Sequence, residues 1–142
     1  MKKLRLTVLA VAIATVVLSA CGGSSAPAAT PTAAGPKVSA EAQKYAALKD
    51  DATNGKKQYS TTCIACHGPD AKGMPGLGKD LTASTFLKGL PDAEVVLFLT
   101  KGRPSSDPLN TTKVDMPPKG GNPVLKDQDL ADIVSFLRTL QK

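Results

Sequence analysis

The sequence predicts an all-α fold of three to five short helices, and three observations carry that prediction. The C-terminal stretch "DQDLADIVSFLRTLQK" repeats apolar residues at three- and four-residue intervals. No segment alternates apolar and polar residues with the regularity of a strand. The connections are rich in glycine and proline, and the helices they join are too few and short for a sufficient core over about 100 residues, so a staple or a cofactor has to complete it.

The chain of 142 residues is one domain by length. Residues 1–20 read as a removable leader. "MKKLR" is its basic start, and "LTVLAVAIATVVL" is an apolar run of thirteen residues, short of the ~20 that a membrane-spanning helix needs. The run ends in "LSAC", which resembles a bacterial lipobox and makes Cys21 the expected lipid-modified N-terminus; the plainer alternative is a secretory signal cleaved near Ala20. Eighteen lysines and arginines face twelve acids, but removal of Lys2, Lys3 and Arg5 with the leader leaves a net +3. Scattered lysines and few aromatics give no basic stacking surface, which argues against nucleic acid.

Residues 21–40 read as a lipid-anchored flexible linker. Glycine, serine, alanine, proline and threonine dominate them, and no apolar side chain after Cys21 exceeds valine. As a coil of about 20 residues the linker spans ~25 Å. The folded part covers 41–142. "EAQKYAALK" is a helical lead-in. A helix follows from Asp51, its expected N-cap, with Ala52, Gly55, Tyr59 and Cys63 on one face. Glycine inside a helix is unfavourable by up to ~1 kcal/mol, so Gly55 predicts a close backbone approach. "HGPDAKGMPGLGKDL" is loop, and Ser84 to Lys88 a short helix. "LPDAEVVLFLTKG" is a helix with Pro91 in its first turn, Asp92 and Glu94 at its positive end and Gly102 as C-cap. The last helix presents Leu130, Ile133, Val134, Leu137 and Leu140 as its stripe, with Arg138 and Lys142 at its negative end. Between them "RPSSDPLNTTKVDMPPKGGNP" is a long loop with five prolines, which needs a surface to pack on.

Four chemistries compete for "TTCIACHGPD". A disulfide between Cys63 and Cys66 closes a loop too small to stabilise much and leaves His67, the one histidine, without a role. A thioredoxin-like CxxC belongs beside a βαβ pattern, which is missing. Structural zinc wants four ligands, and Cys63, Cys66 and His67 are three. C-x-x-C-H is the attachment signature of haem c. Two thiols one turn apart each join a vinyl group of one haem, and the adjacent imidazole becomes the proximal iron ligand. This reading uses every part of the motif, supplies the missing core and gives the proline-rich loop something to cover.

On these residues the chain resembles a class I monohaem cytochrome c of the bacterial, lipoprotein-anchored type. The likeness runs from about Asp51 to Gln141. It rests on a Gly-x-x-x-Tyr helix (Gly55, Tyr59) leading into "CIACHG", the loop "DAKGMPGLGKDL", and the segment "MPPKGGNPVLKDQDL" before a terminal helix. It implies the small cytochrome c fold wrapped around one covalent haem c. Its first and last helices would cross near the haem and set Gly55 and Tyr59 against Ile133 and Phe136. The family often places a tryptophan near the haem propionates and this chain has none; Arg103 is a candidate for that role, or else a solvated surface arginine.

The sixth iron ligand lies between Met74 and Met116. Reach excludes neither, since seven residues from His67 can span ~20 Å. Met116 precedes Pro117 and Pro118, which stiffen its loop, and it occupies the family's methionine position; Met74 would pack at the haem edge. A carbonyl at Pro75 or Pro69 is the expected acceptor of the His67 ring N–H.

His/Met ligation fills both axial sites and favours a raised potential, which predicts a one-electron carrier without a small-molecule substrate and not an enzyme. The expected partners are membrane redox complexes: a quinol-oxidising complex, a terminal oxidase or a photosynthetic reaction centre. The carrier is either a tethered shuttle between them or a bound subunit, with its haem domain on the periplasmic or extracytoplasmic side. Lys72, Lys79, Lys113 and Lys119 could steer an acidic partner, though Asp70, Asp80 and Asp115 dilute them. The rival is a haem enzyme or gas sensor with an open axial site, which requires Met116 not to bind.

Overall fold

The first helix and the last meet backbone to backbone, and the rest of the fold is arranged around that crossing. A computed structural model describes residues 36–142; the leader 1–20, Cys21 and the linker up to residue 35 lie outside the described residues. Five helices follow in order: α1 (Ala52–Thr62), α2 (Ile64–His67), α3 (Thr85–Lys88), α4 (Asp92–Lys101) and α5 (Asp127–Leu140). Single 3₁₀ turns occupy Ala42–Tyr45 and Pro118–Gly121. Among the described residues there is no strand, only isolated antiparallel pairs at Met74–Gly78 and Arg103–Met116. The fold is all-α, as expected. No helix among the described residues is long and apolar enough to cross a membrane.

Asp51 caps α1, its carboxylate accepting from the N–H groups of Thr53 at 2.9 Å and Asn54 at 3.0 Å. The glycine inside α1 is explained by α5: a Cβ on Gly55 would lie 1.9 Å from the Asp132 carbonyl oxygen. One turn on, the Tyr59 and Phe136 rings pack 5.4 Å apart with their planes tilted by 55°. Tyr59, Val95, Val96, Leu130, Ile133 and Val134 are the largest fully buried side chains. At about 1.5–3 kcal/mol each, they make the α1–α4–α5 contact the main source of stability. The stripe on α5 is as read from the sequence, except that Leu140 at its end is only partly buried.

Asp132 is a member of this crossing that periodicity did not single out. It is buried, and its carboxylate accepts from Asp51 N–H at 3.1 Å, Asn54 Nδ2 at 2.6 Å and Gln128 Nε2 at 2.8 Å. Arg138 also does more than face the helix dipole. Its Nε reaches Asp92 at 2.8 Å, and its two terminal nitrogens donate to the carbonyls of Leu87 at 2.7 Å and Leu90 at 2.6 Å. It therefore fastens the end of α5 to the α3–α4 corner.

Two expectations need adjusting. Pro91 stands one residue outside α4, as its N-cap, because its ψ of 151° is extended rather than helical. The lead-in "EAQKYAALK" forms one 3₁₀ turn and not a longer helix. Long-range contacts decide its path. Ser39 N–H bonds the Glu94 carboxylate, Glu41 pairs with Lys101 at 2.6 Å, the Lys49 carbonyl accepts from Gln128, and Ala42 and Tyr45 are buried against α4. The Ser39 N–H holds the Glu94 carboxyl below the usual carboxylate range.

The proline-rich loop after α4 has an internal organiser. Asn110 is buried; its Nδ2 donates to the carbonyls of Pro104 at 3.1 Å and Val114 at 2.7 Å. Its Oδ1 accepts from Thr112 Oγ1 and Lys113 N–H, both at 3.0 Å. One amide thus closes the loop on itself, in addition to whatever surface the loop covers.

Candidate functional site

Where α1 ends, the chain turns into α2 and sets Cys63, Cys66 and His67 on the wall of a single cavity of about 460 Å³, a size typical of ligand and cofactor sites. Leu87, Phe98, Leu99, Leu130 and Ile133 give it apolar walls, and Met116 lines it from the long loop. Two elements 49 positions apart in the sequence therefore deliver an imidazole and a thioether to one space. Met74 is not among the lining residues. It is 44% exposed and is held in a backbone pair with Gly78.

The two cysteines are unbonded. Among the described residues no three or more His, Cys, Asp or Glu side chains assemble into an ion site, so neither the disulfide nor the zinc reading gains support. The Cys63 thiol is half-buried; burial first, and then the neighbouring Cys66, pushes it up to about 11.

The His67 ring is fixed by a group the sequence did not suggest. Nδ1 lies 2.9 Å from the carbonyl of Lys79, and not against Pro75 or Pro69. The cause is the return of the loop at Gly78, which packs directly on the motif: a Cβ there would stand 2.1 Å from the Cys66 carbonyl oxygen and 3.2 Å from His67 Nδ1. That contact carries the next carbonyl over the ring. With Nδ1–H donating to it, Nε2 is left free to bind metal. Tyr59 secures the other side of the turn, its hydroxyl donating to the Gly68 carbonyl at 2.7 Å; burial pushes that hydroxyl well above its ordinary pKa.

Met116 is held by its backbone. Its N–H donates to the Arg103 carbonyl at 2.8 Å, and Arg103 N–H donates back to the Met116 carbonyl at 2.7 Å. Gly102, at φ 68°, is what lets the two segments approach, since a Cβ there would meet the Met116 carbonyl oxygen at 2.2 Å. Beyond Pro117 and Pro118 the loop returns to the motif, where Asn122 Nδ2 donates to Thr62 Oγ1 at 3.1 Å. Arg103 is no solvated surface arginine. Its side chain is 16% exposed, lines the cavity and lies against the rings of Phe86 and Phe98.

An all-α chain that brings two thiols and an imidazole, one turn apart, into an apolar cavity with a methionine on its wall has the donor set of a haem-binding electron-transfer protein. The chain belongs to the cytochrome c family: the family model "Cytochrome c" matches residues 52–141. It is 31% identical over 87 residues to cytochrome c-555 of Prosthecochloris aestuarii, covering 61% of this chain and 85% of that protein. It is 34% identical over 88 residues to cytochrome c-555 of Chlorobaculum thiosulfatiphilum, covering 61% and 93%. It is also 36% identical over 66 residues to the cbb3-type cytochrome c oxidase subunit FixP of Bradyrhizobium sp. (strain ORS 278), covering 46% of this chain and 23% of that subunit. No solved structure matches the chain. As a member of this family the protein carries covalent haem c, and its role is electron transfer.

Proposed function

We propose that the chain is a membrane-tethered one-electron carrier in which Cys63 and Cys66 form the haem thioethers and His67 and Met116 are the axial iron ligands. When bound, the haem supplies an iron centre that cycles between Fe(II) and Fe(III). The protein's part is to hold that centre in one geometry in both states, so that little reorganises when an electron passes. The Lys79 carbonyl orients the His67 ring. The paired backbones of Arg103 and Met116 hold the segment that carries the Met116 thioether. The apolar walls exclude water. The observation that carries the reading is that Met116 shares the cavity with His67 while Met74 lies outside its wall.

The same reading divides the chain into a leader at 1–20, a lipid-anchored tether at 21–40 beginning at Cys21, and the haem domain at 41–142. The tether would keep that domain on the extracytoplasmic side and raise its effective concentration beside membrane redox complexes. Kinship with the oxidase subunit FixP supports a terminal oxidase among those partners, and kinship with the two c-555 proteins supports a small single-haem carrier. Co-migration with other chains at a fixed ratio in mild detergent would mark a bound subunit; a free monomer would mark a shuttle.

The ligand assignment is tested by Met116→Ala. The ferric protein should lose its long-wavelength sulfur-to-iron band, bind carbon monoxide rapidly when reduced, and shift to a lower potential. A variant that keeps the band and still excludes carbon monoxide would sink the assignment. Rapid carbon monoxide binding by the unaltered protein would turn the reading toward an open-site haem enzyme or gas sensor. Mass spectrometry of the N-terminal peptide tests the anchor, where an unmodified Cys21 would remove it.

A further inference from the structure

A permanent positive charge is built into the wall of the haem cavity. Arginine keeps its charge across the working pH range, and Arg103 lines the cavity with its side chain 16% exposed. Its guanidinium carbon sits 4.5 Å from the centre of the Phe86 ring and 4.8 Å from that of Phe98. The two rings meet edge-on at 5.0 Å. Both rings present partial negative charge to the cation. Its Nε is buried and lies 3.2 Å from Asp107 Oδ2, but the two do not align as a hydrogen bond. Asp107 is more exposed, at 29%, and is not among the residues lining the cavity. The ion pair therefore points its positive end inward.

Withdrawing a cation from water is costly unless it is matched. A side chain needed only to brace this loop could be apolar, since the backbone of Arg103 already makes both hydrogen bonds to Met116. The charge has a direct consequence for the haem. Oxidation passes one electron to the redox partner and leaves one additional unit of positive charge at the iron. A fixed cation at the cavity wall opposes that change, and a carboxylate favours it. Water screens the carboxylate more because it is the more exposed partner.

We propose that the Arg103–Asp107 pair sets the reduction potential of this haem. Arg103 is the positioning residue whose inward charge disfavours the ferric state, and Asp107 is its partial counterweight. The proposal rests on the haem occupying the cavity lined by His67 and Met116, as argued above.

Redox titration of the haem-loaded protein and three variants tests it. Arg103→Gln should lower the midpoint potential, Asp107→Asn should raise it, and Arg103→Lys should stay close to the unaltered protein. Opposite signs are the signature of charge. If the pair were only a brace, Arg103→Gln and Asp107→Asn would break the same contact and shift the potential in the same direction. Shifts of like sign, or no shift in either, overturn the proposal. The sulfur-to-iron band is read on every sample. If Arg103→Gln loses it, Asp107→Asn decides alone: a raised potential with the band intact upholds the proposal, and anything else overturns it. A missing band in the unaltered protein sinks the Met116 assignment instead, and the sign test still reads the charge of the pair.

Discussion

The two sides of the haem cavity are built in different ways. On the His67 side the chemistry is contiguous. Cys63, Cys66 and His67 fall within five residues where α1 runs into α2, and the turn is closed by backbone bonds from the His67 N–H to the Cys63 carbonyl at 3.0 Å and from the Gly68 N–H to the Ile64 carbonyl at 3.0 Å. On the Met116 side nothing is local. The Met116 segment is a single backbone pair with Arg103, admitted by Gly102, steadied by a loop wound around Asn110 and returned to Thr62 by Asn122. The comparison teaches that the His67 side chain is placed mainly by helix geometry and the Met116 side chain by assembly. The Met116 side should therefore be the first to yield.

Substitutions that disturb each side in turn can break that comparison. The largest effect is expected from Gly78→Ala, whose Cβ would be driven to 2.1 Å from the Cys66 carbonyl oxygen. The obstacle is backbone, so the turn itself has to move, and the yield of haem-loaded protein should fall severely when measured by covalent haem staining. Normal haem loading would show that the His67 side tolerates rearrangement.

Gly102→Ala is the matching change on the other side. It adds a collision at 2.2 Å with the Met116 carbonyl oxygen and a strain of about 1–3 kcal/mol for a side chain at φ 68°, ψ −163°, a conformation essentially reserved for glycine. Haem loading should survive. The sulfur-to-iron band should weaken and carbon monoxide access increase, because only the ligand segment is displaced. A variant that loses haem altogether would erase the distinction between the two sides.

Asn110→Ala removes four part-buried hydrogen bonds within the loop, two of them to the carbonyls of Pro104 and Val114, at a cost of about 1–3 kcal/mol. Denaturant titrations followed through the band and through helix content should separate, with the band lost first. Coincident curves would mean that the loop and the α1–α5 crossing unfold as one unit.

The smallest effect concerns Asp80, beside the carbonyl that holds His67. The Thr82 hydroxyl, and then the N–H groups of Thr82 and Ala83, donate to its carboxylate and hold its pKa below the ordinary range. A depressed folded value means stability that is present above the unfolded pKa of ~3.9 and is lost as pH falls through the folded one. The unaltered protein should therefore lose more stability than Asp80→Asn on acidification below about pH 4. Parallel acid titrations of the two would count against the turn.

Much of the fold was legible because its signals are local. The α5 stripe, the Asp51 cap, the short helix before Lys88 and the Gly102 stop each depend on neighbours within a few positions, and all of them appear in the structure. Gly55 was legible for a related reason, since a glycine inside a helix is unfavourable unless another backbone requires the space. The acceptor for His67 was not, because Lys79 arrives through a loop whose path depends on Gly78 packing against Cys66. Nor was Asn110, one asparagine in a polar stretch, or Asp132, a lone acid on an otherwise regular helix. The place of Arg103 between two rings also escaped notice, because Phe86 and Phe98 come from separate helices.

The sequence by itself determined the cofactor chemistry and the helical class. Two thiols and an imidazole within one turn are a covalent pattern that needs no distant partner to be recognised, and helical periodicity is likewise a property of neighbours. The tertiary structure decided which methionine reaches the cavity, which carbonyl holds the imidazole and that Arg103 lines the cavity wall. Each of these depends on the distance between residues far apart in the chain, and such distances exist only once α1 and α5 have crossed and the loops have closed over them.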